Sequence, residues 1–199
     1  MTEPTLATDC PIERFKAIFD RAAQSEPDVP DAVTLATATP QGKPSARIVL
    51  MKQVDQRGFV FFTNYGSRKA RELDANPQAA LCFHFRTLGE QVRVEGRVER
   101  VAAEDADAYF ASRPLGSRIA AIASRQSQPI ASREELMARV RELERAHADV
   151  PLQRPDFWGG FRLVPELIEF WVHRDNRLHD RWVYSRDPEG DWQVIRLAP

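Results

Sequence analysis

Apolar and polar positions alternate with a period of two along much of this chain and switch to a helical period only in bounded stretches. Residues 1–10 read as a mobile leader. From Ile12 to Ala23, Phe15, Ile18 and Phe19 share one stripe, which predicts a helix stopped by Pro27 and Pro30. Ala32–Thr39 is rich in small and β-branched residues and ends at Pro40-Gln41-Gly42, a strand and then a turn. Ser45–Val54 and Phe59–Asn64 are further strands joined by a turn at Asp55–Gly58, so the three form an antiparallel meander. Ser67 is placed to cap a helix over Arg68–Asn76 that Pro77 ends. Strands follow at Ala79–Arg86 and Gln91–Val101. The middle is helical at Ala103–Ser112, after Pro114, and over the charged stretch Ser132–His147; the first two are candidate ligand walls and the third a solvated face. Gly160–Val172, Arg181–Ser185 and Trp192–Leu197 return to strand.

Strands at both ends with helices inserted between them predict an α+β fold, an antiparallel barrel closed by its late strands. The 199 residues, 43% of them hydrophobic, suffice for one substantial core, so a single domain over 1–199 is expected. The formal net charge of −1 hides a local imbalance. Basic residues crowd 43–71, 113–125 and 174–186, and acids gather at 99–107 and 134–144. That pattern suits small anions better than nucleic acid, which calls for an overall basic excess. Cys10 and Cys82 share no metal or redox spacing, so no metal is expected and a reducing compartment is. Without a membrane-length apolar run or a secretion signal, the chain reads as soluble and cytoplasmic. The Gly-rich dinucleotide fingerprint and the Walker loop are absent, so any phosphate must be held by side chains and scattered backbone donors.

Four segments carry candidate chemistry. If Arg177-Leu178-His179-Asp180-Arg181 is extended, Arg177, His179 and Arg181 share a face with no acid on it, which suits an anionic heteroaromatic ligand; a solvated polar strand is the alternative. Arg47 and Lys52 bracket four apolar residues and face opposite ways unless a bulge re-aims one of them; otherwise they snorkel at barrel rims. Gly66-Ser67-Arg68-Lys69 opens a helix with backbone donors, a hydroxyl and two cations. Those cations oppose the helix dipole, which favours an anion there over merely solvated basics. Tyr109, Arg113 and Ser117 recur every four residues, and a break at Pro114 still allows them to converge on one phosphate; core packing of Tyr109 beside a surface Arg113 is the other reading.

In order and spacing these segments resemble the pyridoxamine 5′-phosphate oxidase family of FMN enzymes. Further matching pieces are Phe62-Thr63-Asn64, Gln126-Ser127, Phe157-Trp158-Gly159-Gly160-Phe161-Arg162, Glu169-Phe170-Trp171 and the terminal Arg196-Leu197-Ala198-Pro199. The resemblance implies an FMN-binding split β-barrel with peripheral helices, a homodimer holding FMN at its subunit interface. By position, it implies FMN contacts from Arg47, Ile48, Val49, Leu50, Met51 and Lys52, from Phe62, Thr63, Arg68 and Lys69, and from Gln91, Gln126, Ser127, Trp171 and Arg181. It implies a substrate phosphate held by Lys52, Tyr109, Arg113 and Ser117, with Arg177 and His179 over the pyridine ring as the catalytic pair. The implied reaction oxidises C4′ of pyridoxamine or pyridoxine 5′-phosphate to pyridoxal 5′-phosphate, with hydride passing to flavin N5 and oxygen reduced to hydrogen peroxide. Phe62 departs from the tyrosine common at its position, and 115–122 departs from the family's more polar version. Two rival readings are a related FMN oxidase of another ring, such as a phenazine precursor, and a flavin- or pyridoxal-phosphate-binding protein without turnover.

Overall fold

The computed structural model describes residues 10–25, 29–147 and 150–199. The expected leader, apart from Cys10, and the helix-stopping Pro27 lie outside the described residues.

Among the described residues, eight antiparallel strands are arranged in the order β3-β2-β1-β4-β5-β6-β7-β8, and β3 also pairs with β6. They are β1 (Ala32–Ala38), β2 (Pro44–Asp55), β3 (Gly58–Asn64), β4 (Gln78–Phe85), β5 (Glu90–Arg100), β6 (Trp158–Val172), β7 (Asp180–Arg186) and β8 (Trp192–Leu197). The β3–β6 pairing closes six strands into a barrel, and β7 and β8 extend from it. One strand can do both because β6 is long and changes partner. Its first half, Trp158–Leu163, pairs with β3, and Leu167–Val172 pairs with β7, while β5 follows both halves. The changeover contains Pro165, which has no N–H to donate, and faces a register shift between Glu95 and Gly96. Gly96 is required there, since a Cβ would lie 2.1 Å from the carbonyl oxygen of Val164.

Period-two patterning builds the core. Val33 and Leu35 of β1, Leu81, Phe83 and Phe85 of β4, and Val92 and Val94 of β5 all point into the barrel. Helix α1 (Pro11–Ser25) adds Ile12, Phe15, Ile18 and Ala22 from its apolar stripe. Phe15 packs 4.8 Å from the rings of both Phe59 and Phe83, and each such fully buried side chain contributes about 1.5–3 kcal/mol.

Helix α2 (Arg68–Ala75) starts as expected, with the Ser67 side chain accepting from the Ala70 N–H. Helices α3 (Ala103–Ser112) and α4 (Leu115–Ala123) are separated at Pro114 and form a second apolar cluster through Phe110, Ile119 and Trp158. Helix α5 (Arg133–Ala146) has no buried residue, in keeping with a solvated face. No helix among the described residues is long and apolar enough to cross a membrane.

The 177–181 segment departs from expectation. Strand β7 begins only at Asp180, and Arg177 ends a 3-10 turn (Asp175–Arg177) in which Asn176 and Arg177 have φ of 55° and 62°. Alternation therefore does not set the directions of Arg177 and His179, because the backbone before Asp180 is not extended. Asp180 belongs to the cluster as well: it accepts from Arg174 Nε at 2.7 Å and forms an ion pair with Arg196.

Candidate active site

A cavity of about 790 Å³ opens between β2, β3 and the starts and inner faces of α2, α3 and α4. Arg47, Lys52, Arg68, Lys69 and Arg113 all line it, and among the described residues no aspartate or glutamate does. Five cations without a lining acid make a strongly anion-attracting volume. Arg47 and Lys52 both line it although alternation through the buried Met51 keeps them on opposite faces of β2, since residues 45–50 and 52 from both faces of the strand border the cavity. The β2–β3 register shifts between Met51 and Gln53 and leaves Lys52 unpaired. Ile48, Val49 and Leu50 line the same wall, whereas Met51 is turned into the core at 5% exposure.

One corner is built from the start of α2. Lys69 Nζ contacts Thr63 Oγ1 at 3.1 Å, Gln126 Oε1 at 3.2 Å and Ser67 Oγ at 3.5 Å, all neutral acceptors. Burial, with the nearby Arg47 charge, pushes its pKa below the usual lysine value. Arg47 is likewise lowered by burial, against which Glu72 acts. Glu72 lies behind the wall and accepts from Thr37 Oγ1 and Ser45 Oγ at 2.5 Å each and from Arg68 Nε at 2.8 Å. Although burial works to raise it, those hydrogen bonds hold the carboxyl at about 2.

A folded pKa below the ordinary 4.5 means that acid favours the unfolded chain, which takes up the proton first. The stability contributed by this carboxylate is present above about pH 4.5 and is lost as pH falls towards 2. Urea midpoints measured from about pH 5 down to 3 are therefore expected to fall less steeply in Glu72→Gln than in the parent. Equal slopes would place the acid sensitivity elsewhere.

The other end of the cavity is aromatic. The Phe62 ring stacks on Tyr109 at 3.9 Å and on Trp158 at 5.5 Å, and the Arg113 guanidinium lies 4.8 Å over Trp158. Arg113 Nη1 is buried without a hydrogen-bond partner among the described residues, and burial lowers the group's pKa. The break at Pro114 brings Tyr109, Arg113 and Ser117 to one cavity, as the broken-helix reading allows. Lys52 is steadied by Asp31 at 2.5 Å.

Gln91, Trp171, Arg177, His179 and Arg181 do not line this cavity. Gln91, Trp171 and Arg181 form a row across β5, β6 and β7 through the pairs Gln91–Trp171 and Trp171–Arg181. The His179 ring lies 4.4 Å from that of Trp171. Its Nδ1 accepts from the Arg174 backbone N–H at 3.2 Å, so the neutral ring carries its proton on Nε2. Glu169 fixes Arg181 at 2.7 Å and Arg93 at 2.7 Å. Trp158 in the cavity and Trp171 in this row lie near opposite ends of β6, separated by roughly 40 Å of strand contour.

Sequence reasoning assigned no role to Ser45, Asn64, Ser124, Trp158 or Glu72. Trp158 was legible as part of an aromatic motif, and its place opposite Asn64 comes from the β3–β6 register. Glu72 carried no such signal, since on a short helix it resembles any exposed acid.

Residues 19–146 match the family model described as pyridoxamine 5′-phosphate oxidase, and residues 158–199 match the pyridoxine 5′-phosphate oxidase C-terminal dimerisation region. The chain is 57% identical over 190 residues to a pyridoxine/pyridoxamine 5′-phosphate oxidase of Paraburkholderia xenovorans, covering 95% of this chain and 89% of that one. It is 56% identical over 189 residues to the protein of the same name from Myxococcus xanthus, covering 95% and 91%. Among solved structures, PhzG from Burkholderia lata in complex with tetrahydrophenazine-1-carboxylic acid superposes with a TM-score of 0.92 at 32% identity, covering 100% of this chain and 98% of that one.

Proposed function

This chain belongs to the pyridoxamine 5′-phosphate oxidase family, and from that premise we propose that it is a cytoplasmic, FMN-dependent oxidase converting pyridoxamine and pyridoxine 5′-phosphates to pyridoxal 5′-phosphate. The observation that carries this reading is the pair of incomplete cation sites in one cavity. Lys69 is buried among neutral acceptors at one end, and Arg113 has an unpartnered buried Nη1 at the other. Burying such groups is costly unless anions complete them, and both FMN and the vitamer end in a phosphate.

In this reading Arg47, Arg68 and Lys69 hold the FMN phosphate, and Thr63, Gln126 and Ser127 complete that corner. Ile48, Val49 and Leu50 border the flavin, Met51 supports them from the core, and Phe62 contributes apolar surface where a hydroxyl is missing. Lys52, Tyr109, Arg113 and Ser117 hold the substrate phosphate. FMN, when bound, supplies the hydride acceptor at N5 and passes the electrons to oxygen, giving hydrogen peroxide. The chain's own task is then orientation and exclusion of water.

Gln91, Trp171 and Arg181, with Arg177 and His179, form the other half of the site. The strand contour separating them from the cavity favours a homodimer in which each cavity is completed by the partner's 171–181 region. The matched C-terminal region, described by its family as a dimerisation region, supports the same arrangement. Arg177, a guanidinium with several donors and no acceptor, serves to orient the ring. His179 faces substrate as an Nε2–H donor while neutral, a role for which the Arg174 N–H fixes the tautomer.

The test is anaerobic mixing of the FMN-loaded protein with pyridoxine 5′-phosphate while the flavin absorption band is recorded. Bleaching, with recovery on admitting oxygen and formation of an aldehyde, is the expected outcome. An unchanged band with both phosphorylated vitamers would overturn the substrate assignment. Bleaching by a dihydrophenazine carboxylate instead would favour the rival oxidase reading.

A further inference from the structure

Glu72 occupies an unusual position for an acid, buried to 7% exposure directly behind the most cationic corner of the cavity. It joins three elements. Thr37 comes from β1, Ser45 and Arg47 from β2, and Arg68 from the first turn of α2, one helical turn before Glu72 itself. Oε1 takes Arg68 Nε, and Oε2 takes both hydroxyls and Arg47 Nη2 at 3.4 Å. Arg47 is further fixed through Nη1 to Thr37 Oγ1 at 2.6 Å and to the Leu35 carbonyl at 3.2 Å, and its Nη2 also contacts Ser45 Oγ. Both guanidiniums are therefore oriented by one carboxylate while still bordering the cavity.

We propose that Glu72 is a positioning residue for phosphate capture: it orients Arg47 and Arg68 and trims the corner's charge to that of a phosphomonoester. The proposal rests on the reading of this corner as the FMN phosphate site. Arg47, Arg68 and Lys69 supply three positive charges and Glu72 removes one, leaving two. A phosphomonoester carries about −1.5 to −2 at neutral pH, so the match is close. Without Glu72 the corner gains net charge, and simple Coulomb attraction would predict tighter phosphate binding. Loss of orientation predicts the opposite, because bidentate guanidinium contacts depend on fixed geometry. The two effects have opposite signs, so one measurement separates them.

The experiment compares dissociation constants of FMN and riboflavin, by quenching of flavin fluorescence, for the full-length apoprotein and its Glu72→Ala and Glu72→Gln variants. FMN binding is expected to weaken by about ten-fold in Glu72→Gln and more in Glu72→Ala, with riboflavin changed by less than about two-fold. FMN binding that is unchanged or tighter would overturn the proposal. Equal weakening of both flavins would also overturn it, since Glu72 would then only hold the fold. If Glu72→Ala does not fold, Glu72→Gln carries the same comparison, because its amide oxygen still accepts from Thr37 and Ser45. Arg47→Ala and Lys69→Met serve as reference variants. If they too leave the FMN-to-riboflavin ratio at its parental value, the phosphate-corner reading itself fails; if they collapse the ratio and the Glu72 variants do not, only the role of Glu72 fails.

Discussion

Lys69→Met is expected to lower FMN affinity by about a hundred-fold, or about 2.7 kcal/mol, while raising the thermal midpoint of the apoprotein. The opposite signs follow from the surroundings of Nζ. Only 9% of the residue is exposed, and among the described residues its contacts are the neutral oxygens of Thr63, Ser67 and Gln126. A desolvated ammonium without a carboxylate burdens the empty protein, and the depressed pKa reports that burden. Methionine fills nearly the same volume without the charge. A bound phosphate reverses the balance, because the ammonium then makes a charge-assisted contact in a place where water competes poorly. Differential scanning of the apoprotein and a flavin-quenching titration read the two effects separately. A variant that is less stable when empty and binds FMN normally would show that Lys69 supports the fold, not the ligand.

The second large effect concerns how the site is shared. Arg177→Ala and Arg113→Ala are each expected to lose most oxidase activity as homodimers, but their mixture is expected to recover it. In a heterodimer of the two variants one site carries both lesions and the other none. A statistical 1:1 mixture should therefore reach about a quarter of the parental specific activity. The basis is the length of β6. It carries Trp158 near one end, in the cavity beside Arg113, and Trp171 near the other, beside His179, with roughly 40 Å of contour between them. Refolding the variants together and assaying initial rates checks this. Activity no higher than that of the two variant homodimers would mean that each site is built within one chain.

Arg174 is as informative as the catalytic candidates about how the second cluster is held. Its N–H fixes His179, its guanidinium fixes Asp180, and Asp180 in turn meets Arg196 from β8. Together these contacts hold a turn in which two consecutive non-glycine residues adopt left-handed φ, a conformation that persists only where its surroundings fix it. The sequence reading made a shared face for Arg177, His179 and Arg181 conditional on extended backbone across 177–181, and the turn does not provide it. Its choice of residues rested on chemistry and spacing and did not depend on that face.

Alternation of apolar residues was enough to specify the eight strands to within about two residues at most ends, because burying one face of a strand dictates a period of two whatever its partners. Ser67 and Pro114 likewise specified local helix boundaries, since capping and a missing N–H act within one turn. The basic clusters were legible as candidate anion sites because unpaired charge is expensive to bury. Which of them meet was not legible. That depended on β6 changing partner at Pro165 and on the buried carboxylate of Glu72 linking β1, β2 and α2. The sequence by itself determined the elements and the chemical character of their exposed groups, both set by interactions a few residues long; only the tertiary structure decided which cations share a cavity and which lie a strand's length away, because that follows from register and closure between segments far apart in the chain.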